Sequence, residues 1–194
     1  MYKRQVLNCI KHFPGHGRAS GDSHEGLVDI TNTWTEEELE PFRLLIKTGK
    51  VDAVMSAHLL HQGIDAEFPG TLSSVWLSML RDDLNFEGVI VSDCLHMGAM
   101  IRRFSLDEIV VHGLNAGIDL FYFSNNPLAA QEAGVRHSSD SGEDHIAFDD
   151  WKVPDIKLAD KFRDAVLRAL EKNQIKLEQI DLSYQRVLKL KEKI

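Results

Sequence analysis

Val6-Leu7-Asn8-Cys9-Ile10-Lys11-His12-Phe13-Pro14-Gly15-His16-Gly17-Arg18-Ala19-Ser20-Gly21-Asp22-Ser23-His24 opens with a short apolar run and turns abruptly polar. The run over 6–10 reads as a buried strand. From Lys11 onward, three histidines, a lysine and an aspartate crowd into fourteen positions that neither an amphipathic helix nor a buried strand accommodates. Pro14-Gly15 and two further glycines break regular structure there, which predicts a loop. Catalytic groups concentrate on loops held by a rigid scaffold, and titratable residues just past a strand's C-terminal end mark the active face of an α/β barrel.

The same rhythm continues along the chain. Thr35-Glu36-Glu37-Glu38 has capping-box spacing, with Leu39, Phe42, Leu45 and Ile46 at helical intervals before Thr48-Gly49. Residues 51–57 read as a second buried strand closed by His58 and His61. Ser73 or Ser74 caps a helix carrying Val75, Leu77, Met79, Leu80 and Leu84. Gly88-Val89-Ile90-Val91-Ser92-Asp93 is the clearest strand, Ser105-Leu106-Asp107-Glu108 caps another helix, and Ile118-Asp119-Leu120-Phe121-Tyr122-Phe123 reads as a further strand. Continuous apolar strands alternating with helices call for a parallel sheet covered by helices. With strands near 6–10, 51–57, 88–92 and 118–123, the expected fold is α/β: a partial (β/α)8 TIM barrel of about four C-terminal βα units plus two C-terminal helices. A full barrel takes about 250 residues. The last two helices are predicted at 157–172, lined by Leu167 and Leu170, and at 181–193, lined by Tyr184, Val187, Leu188 and Leu190.

Composition narrows the class. The chain has 194 residues, 43% hydrophobic and 27% charged, with a formal net charge of −8. That balance argues against a nucleic-acid surface, which shows a basic patch. No apolar run approaches the roughly 18 residues of a membrane span. The lysines of 189–193 complement a helix C-terminus. Cys9 and Cys94 lie in or beside apolar segments and are expected to be reduced core thiols. Residues 134–155 are polar and aperiodic, an insertion-like exposed loop whose His137 and His145 read as solvated. Met1-Tyr2-Lys3-Arg4-Gln5 matches a translated library-adapter end and is set aside, so that 6–194 is expected to be the C-terminal half of a longer barrel domain.

Asp93 ends the most apolar strand, where a carboxylate is costly unless used or paired; capping the next turn is the alternative. Asp22 and His24 can converge if their loop turns back, the carboxylate fixing one imidazole nitrogen and leaving the other to move a proton near neutral pH. An ordinary Asp-Ser helix start is the plainer reading. Lys11 and His12 lie at the strand end and can reach a polyhydroxylated ligand, while His16 can simply bond within the loop.

Lys11-His12-Phe13-Pro14-Gly15-His16-Gly17, followed by Asp22-Ser23-His24, resembles the signature of family 3 glycoside hydrolases, in their β-N-acetylglucosaminidase (β-N-acetylhexosaminidase) branch. Gly88 to Ala99 is similar to that family's nucleophile strand, with Cys94 where a second acidic residue is more common, and Gly113 to Asp119 also fits. The resemblance spans Val6 to Pro127 and the final helices. It implies that Asp93 is the nucleophile of a retaining hydrolase acting on terminal β-linked N-acetylglucosamine. It likewise implies that His24 is the acid/base oriented by Asp22, and that Lys11 and His12 hold hydroxyls of the bound sugar. A histidine near pKa ~6.5 suits both proton transfers. Muropeptide or chitooligosaccharide fragments are the implied substrates, with no cofactor or metal, no nucleic acid or membrane partner, and a cytoplasmic setting. The missing N-terminal half of the barrel is the implied partner, without which the chain is expected to be unstable or inactive. A metal-dependent hydrolase built on His12, His16, Asp22 and His24, a phosphorylase on the same scaffold and a sugar-binding remnant stay open as alternatives.

Overall fold

The computed structural model describes residues 6–19, 21, 26–125 and 155–194. In chain order these form β1 (Cys9–Phe13), β2 (Val28–Asp29), a 3-10 turn (Glu36–Leu39) leading into α1 (Glu40–Lys47), β3 (Ala53–Ser56) and β4 (Leu59–Leu60). There follow α2 (Ser74–Ser78) with a π-helical turn (Met79–Asp83), β5 (Val89–Val91), α3 (Gly98–Ile101), α4 (Leu106–Ala116), α5 (Leu158–Glu171) and α6 (Leu177–Lys191). The main sheet has the order β1-β3-β5, every pair parallel, and β2 pairs with β4 in a small second sheet. Parallel neighbours need helical crossovers, and α1 and α2 supply them.

β1 begins three residues later than its apolar run predicts. Val6 is exposed, and Asn8 is held back by Asp52: its backbone N–H and its side-chain amide both donate to Asp52 Oδ2, at 3.0 and 2.8 Å. Asp52 is buried, and Lys193 Nζ donates to its other oxygen at 2.9 Å. The terminal lysines therefore do more than complement a helix end.

The strand predicted over 118–123 is reduced to one parallel bridge, Val91 with Leu120. Side chains take over part of its ladder. The Ile90 N–H donates to Asp119 Oδ2 at 2.8 Å, and the Tyr122 N–H donates to Ser92 Oγ at 2.8 Å. Asp119 is wholly buried and also accepts from Arg81 Nη2 (2.6 Å) and Arg186 Nη1 (3.1 Å). Arg81 spends its other nitrogen on the carbonyls of Phe86 and Gly88. This cluster ties α6 and the π-helical turn to the N-terminal end of the sheet.

Two apolar cores flank the sheet. One packs Phe13, Phe42, Trp76, Leu77, Leu80 and Ile90 between the strands and α1–α2, and the other gathers Leu95, Met100, Ile109, Val110 and Ile175 around α4 and α5. The last helices pack differently from their leucine stripes. Ala165 and Ala169 are the buried residues of α5, Leu167 and Tyr184 are exposed, and α6 buries no residue fully. Small side chains let α5 approach α4 closely, whereas Leu170 is only half-buried and Val187, Leu188 and Leu190 cover the sheet's lower edge partially. α6 also starts four residues earlier than predicted.

The serine caps are as expected. Ser73 Oγ accepts from the Trp76 N–H, and Ser105 with Glu108 forms a complete capping box, Gly117 ending α4 at φ +104°. Thr35 and Glu38 do not form the box predicted for them. Arg18 Nη1 donates to Thr35 Oγ1 at 2.9 Å, and the Gly17 N–H donates to Glu38 Oε2 at 3.1 Å. Both cap groups are engaged by the histidine-rich loop. Cys9 is exposed on the edge strand rather than in the core, and Cys94 is half-buried. Most of the loop predicted at 134–155 lies outside the described residues. Its closing residue, Asp155, bonds reciprocally with Asn125, N–H to Oδ1 at 2.8 Å and Nδ2 to the carbonyl at 3.2 Å.

Candidate active site

The C-terminal ends of the parallel strands carry the polar groups. β1 carries an extra residue: Ile10 pairs with Val54 and Phe13 with Ser56, leaving Lys11 and His12 opposite Met55 alone. A bulge re-aims side chains that would otherwise alternate across the sheet. Lys11 and His12 accordingly line one open groove of about 480 Å³ with Gly15, His16, Gly17 and Glu38. Both were expected at the end of a strand over 6–10; they stand within β1, because pairing with β3 persists to Phe13.

Buried anchors hold this segment. Phe13 is edge-on to Phe42 and Trp76, with centroids 5.4 and 6.4 Å apart, and Trp34 Nε1 donates to the Pro14 carbonyl at 3.1 Å. Gly15 adopts φ +124°, and a Cβ there would stand 2.5 Å from Glu38 Cβ and Oε2. Only glycine fits both the angle and the space.

Asp93 stands two residues past the end of β5, after Ser92. Its Oδ1 accepts from the Cys94 N–H at 2.7 Å, and its Oδ2 lies 3.5 Å from His12 Nε2. The side chains of His12 and Asp93 are 27% and 18% exposed, so both are partly shielded yet reachable. One carboxylate oxygen is thus tied to the backbone and the other faces a potential cation at ion-pair distance. The His16 ring stands edge-on to His12 with centroids 6.1 Å apart. Lys11, His12 and Asp93 therefore share the strand ends, with His12 touching both the groove and the carboxylate. Asp22 and His24 lie outside the described residues. Among the described residues no three His, Cys, Asp or Glu side chains gather as metal ligands.

One buried group went unremarked in the sequence beyond closing the second strand. His58 is 1% exposed, with Nε2 3.1 Å from the Cys94 carbonyl and Nδ1 2.8 Å from Thr71 Oγ1. The signal was present as a histidine set inside the apolar run Ala57-His58-Leu59-Leu60. A neighbouring histidine, His96, is also buried, accepts at Nδ1 from the Asn125 N–H, and has its pKa pushed down by burial against a partial opposing pull from Asp155. A separate cavity of about 280 Å³, lined by Val51, Asp52, Gly88, Arg186 and Lys189, opens at the opposite end of the strands.

Residues 1–190 match the family model described as the glycosyl hydrolase family 3 N-terminal domain. A β-hexosaminidase of Tolumonas auensis is 40% identical over 134 residues, which cover 67% of this chain and 40% of that protein. Among solved structures, a family 3 β-N-acetylglucosaminidase from Paenibacillus shares 34% identity at a TM-score of 0.73, over 97% of this chain and 31% of that one. CbsA of Thermotoga neapolitana, solved with zinc bound, shares 27% identity at a TM-score of 0.73, over 93% of this chain and 34% of that one. The chain spans 30–40% of the length of the curated relatives it matches. A family model covering almost the whole chain, on a parallel α/β sheet with polar strand ends, establishes that this chain belongs to glycosyl hydrolase family 3.

Proposed function

We propose that the chain carries the nucleophile side of a retaining β-N-acetylhexosaminidase that removes terminal β-linked N-acetylglucosamine from muropeptide or chitooligosaccharide fragments. The observation that carries this reading is the approach of His12 to Asp93 at the C-terminal ends of β1 and β5. In the first step Asp93 Oδ2 attacks the anomeric carbon while the glycosidic C–O bond breaks and His24 gives its proton to the departing oxygen. In the second step His24 takes a proton from water, the water oxygen bonds to the anomeric carbon, and the Asp93 ester bond breaks. Most retaining glycosidases place two carboxyl groups about 5–5.5 Å apart for these roles. Here an imidazole replaces one of them, with Asp22 orienting it. Lys11 and His12 hold sugar hydroxyls, with His12 Nε2 3.5 Å from the attacking oxygen.

The fold reading that goes with this is a partial barrel of about four βα units. β1 is the outer strand of its sheet, and Cys9 and Lys11 on it are exposed. An open parallel edge of this kind invites further strands, and the remaining barrel strands are the proposed occupants. The chain alone is then expected to turn over poorly, so the test uses single-turnover trapping. Incubation with a fluorinated N-acetylglucosaminyl fluoride, followed by peptide mass spectrometry, should place one glycosyl unit on Asp93. Asp93→Asn should take none. An adduct on another residue in the wild type would refute the assignment.

The zinc-bound relative keeps a second reading in view, with His12, His16, Asp22 and His24 as ligands. Trapping that survives a strong chelator supports the metal-free mechanism. Trapping lost on chelation and restored by Zn²⁺ would transfer those residues to a metal site.

A further inference from the structure

Beneath Asp93 runs a chain of buried polar side chains that the mechanism above does not use. His58 Nε2 reaches the Cys94 carbonyl at 3.1 Å, His58 Nδ1 reaches Thr71 Oγ1 at 2.8 Å, and Thr71 Oγ1 reaches Ser56 Oγ at 2.8 Å. Ser56 and Thr71 are fully buried. The direction of the hydrogens follows from its end point. A carbonyl only accepts, so Nε2 carries the hydrogen; with the hydrogen there alone, Nδ1 accepts from the Thr71 hydroxyl, and Ser56 Oγ donates to Thr71 Oγ1 at 2.8 Å with the Val91 carbonyl as a second acceptor at 3.5 Å. A neutral imidazole in a single tautomer satisfies every one of these contacts.

The end point matters because of its neighbour. Cys94 follows Asp93 directly, and its N–H is the group that holds Asp93 Oδ1, at 2.7 Å. Its carbonyl also accepts from the Met97 N–H at 3.1 Å, and the Ser124 N–H donates to its Sγ at 3.3 Å. Resting on the reading of Asp93 as nucleophile, we propose that His58 is a positioning residue: it clamps the Cys94 carbonyl, thereby fixes the peptide whose N–H pins Asp93 Oδ1, and so keeps Oδ2 presented beside His12. Thr71 and Ser56 set the tautomer that makes the clamp a donor. No bond forms or breaks at His58, and an imidazole buried under a strand end with both ring nitrogens engaged is suited to fixing geometry rather than to moving protons.

The test measures Asp93 trapping by the fluorinated N-acetylglucosaminyl fluoride on the whole chain, with imidazole ¹⁵N spectra and amide exchange alongside. In the wild type, His58 should show the Nε2-protonated tautomer. In Thr71→Val, which keeps the shape and removes the donor, the maximal trapping rate should fall about 10–100-fold, as expected for a small misplacement of a reacting group. The reagent concentration giving half that rate should stay unchanged. His58→Leu should show the same loss and faster exchange of the Cys94 amide. His58→Gln, whose amide N–H reaches the same carbonyl, should recover most of the rate. Equal rates in His58→Gln and His58→Leu, a mixture of tautomers in the wild type, or a Thr71→Val rate equal to wild type would each overturn the proposal. If the wild type takes no label on Asp93, the nucleophile reading is what fails. The clamp is then decided by Cys94 amide exchange, and unchanged exchange in both Thr71→Val and His58→Leu overturns it.

Discussion

Asp119→Ala is expected to be among the most destabilising single substitutions in this chain. The carboxylate is wholly buried and accepts from Arg81 at 2.6 Å, Arg186 at 3.1 Å and the Ile90 N–H at 2.8 Å. Arg81 is only 16% exposed, and burial already pulls its pKa down while Asp119 opposes that pull. Removing the partner of a buried charge costs about 3–5 kcal/mol. The orphaned Ile90 N–H adds about 1–3 kcal/mol. Arg186 is 31% exposed and can rehydrate, so its loss is closer to that of a surface pair, about 0–1 kcal/mol. These contributions share one centre and do not add fully; about 4 kcal/mol is the expected net loss. For a chain of this size that lowers Tm by about 8–16 °C. Urea unfolding followed by circular dichroism checks the total, and a double-mutant cycle checks its division. The Asp119–Arg81 coupling should exceed about 2 kcal/mol and the Asp119–Arg186 coupling stay under about 1 kcal/mol. A total loss below about 1.5 kcal/mol, or couplings in the reverse order, would refute the reasoning, since a surface pair alone accounts for up to about 1 kcal/mol.

Gly15→Ala should destabilise the chain by about 1–3 kcal/mol, because alanine at φ +124° is strained and its Cβ would meet Glu38; a melting temperature equal to wild type would contradict that. His96 gives a pH dependence of known sign. Its folded pKa is depressed by burial, so near pH 6.5 and below the unfolded chain binds a proton that the folded chain refuses. Stability should therefore fall as pH drops below about 6.5 towards the folded pKa, and urea midpoints of His96→Gln should show a flatter dependence over that window. Ser105→Ala removes an observed capping box and should cost about 1 kcal/mol of unfolding free energy. Thr35→Ala removes no helix cap, so its effect in the same urea assay should be smaller.

How much of this was legible in the chain depends on how far each deciding contact reaches. Helix α4 was readable because its cap is local: Ser105 and Glu108 serve each other within one turn. Thr35 and Glu38 have the same spacing, yet Arg18 and Gly17, 17 and 21 residues away, capture them. β5 was readable as a continuous β-branched run. The strand after Gly117 was not, because Asp119 places a side-chain oxygen where a ladder carbonyl was expected, a choice made by Arg81 and Arg186 at distances of 38 and 67 residues. The start of β1 was misplaced for the same kind of reason, Asp52 holding Asn8 from 44 positions away. The bulge that turns Lys11 and His12 to one groove depends on the register with β3 and leaves no mark in the alternation of β1 itself.

Asp93 illustrates why two opposed readings of one residue were both defensible. A carboxylate has two oxygens, and a turn cap needs only one of them. Oδ1 takes the Cys94 N–H as a capping aspartate does, while Oδ2 faces His12. On the proposed reading of Asp93 as nucleophile, the structural use is not an alternative to the chemical one; it would supply its orientation. A nucleophile must hold its attacking atom along one line, and a free carboxylate rotating about χ2 gives that up. Binding one oxygen to the chain's own backbone restricts the rotation, and anchoring that backbone residue through His58 to Thr71 and Ser56 restricts the anchor. Preorganisation of this kind is built from a buried hydrogen-bond chain that costs little once every donor and acceptor in it is satisfied. Cys94 is held at three points in this arrangement, its N–H by Asp93 Oδ1, its carbonyl by His58 Nε2 and its Sγ by the Ser124 N–H.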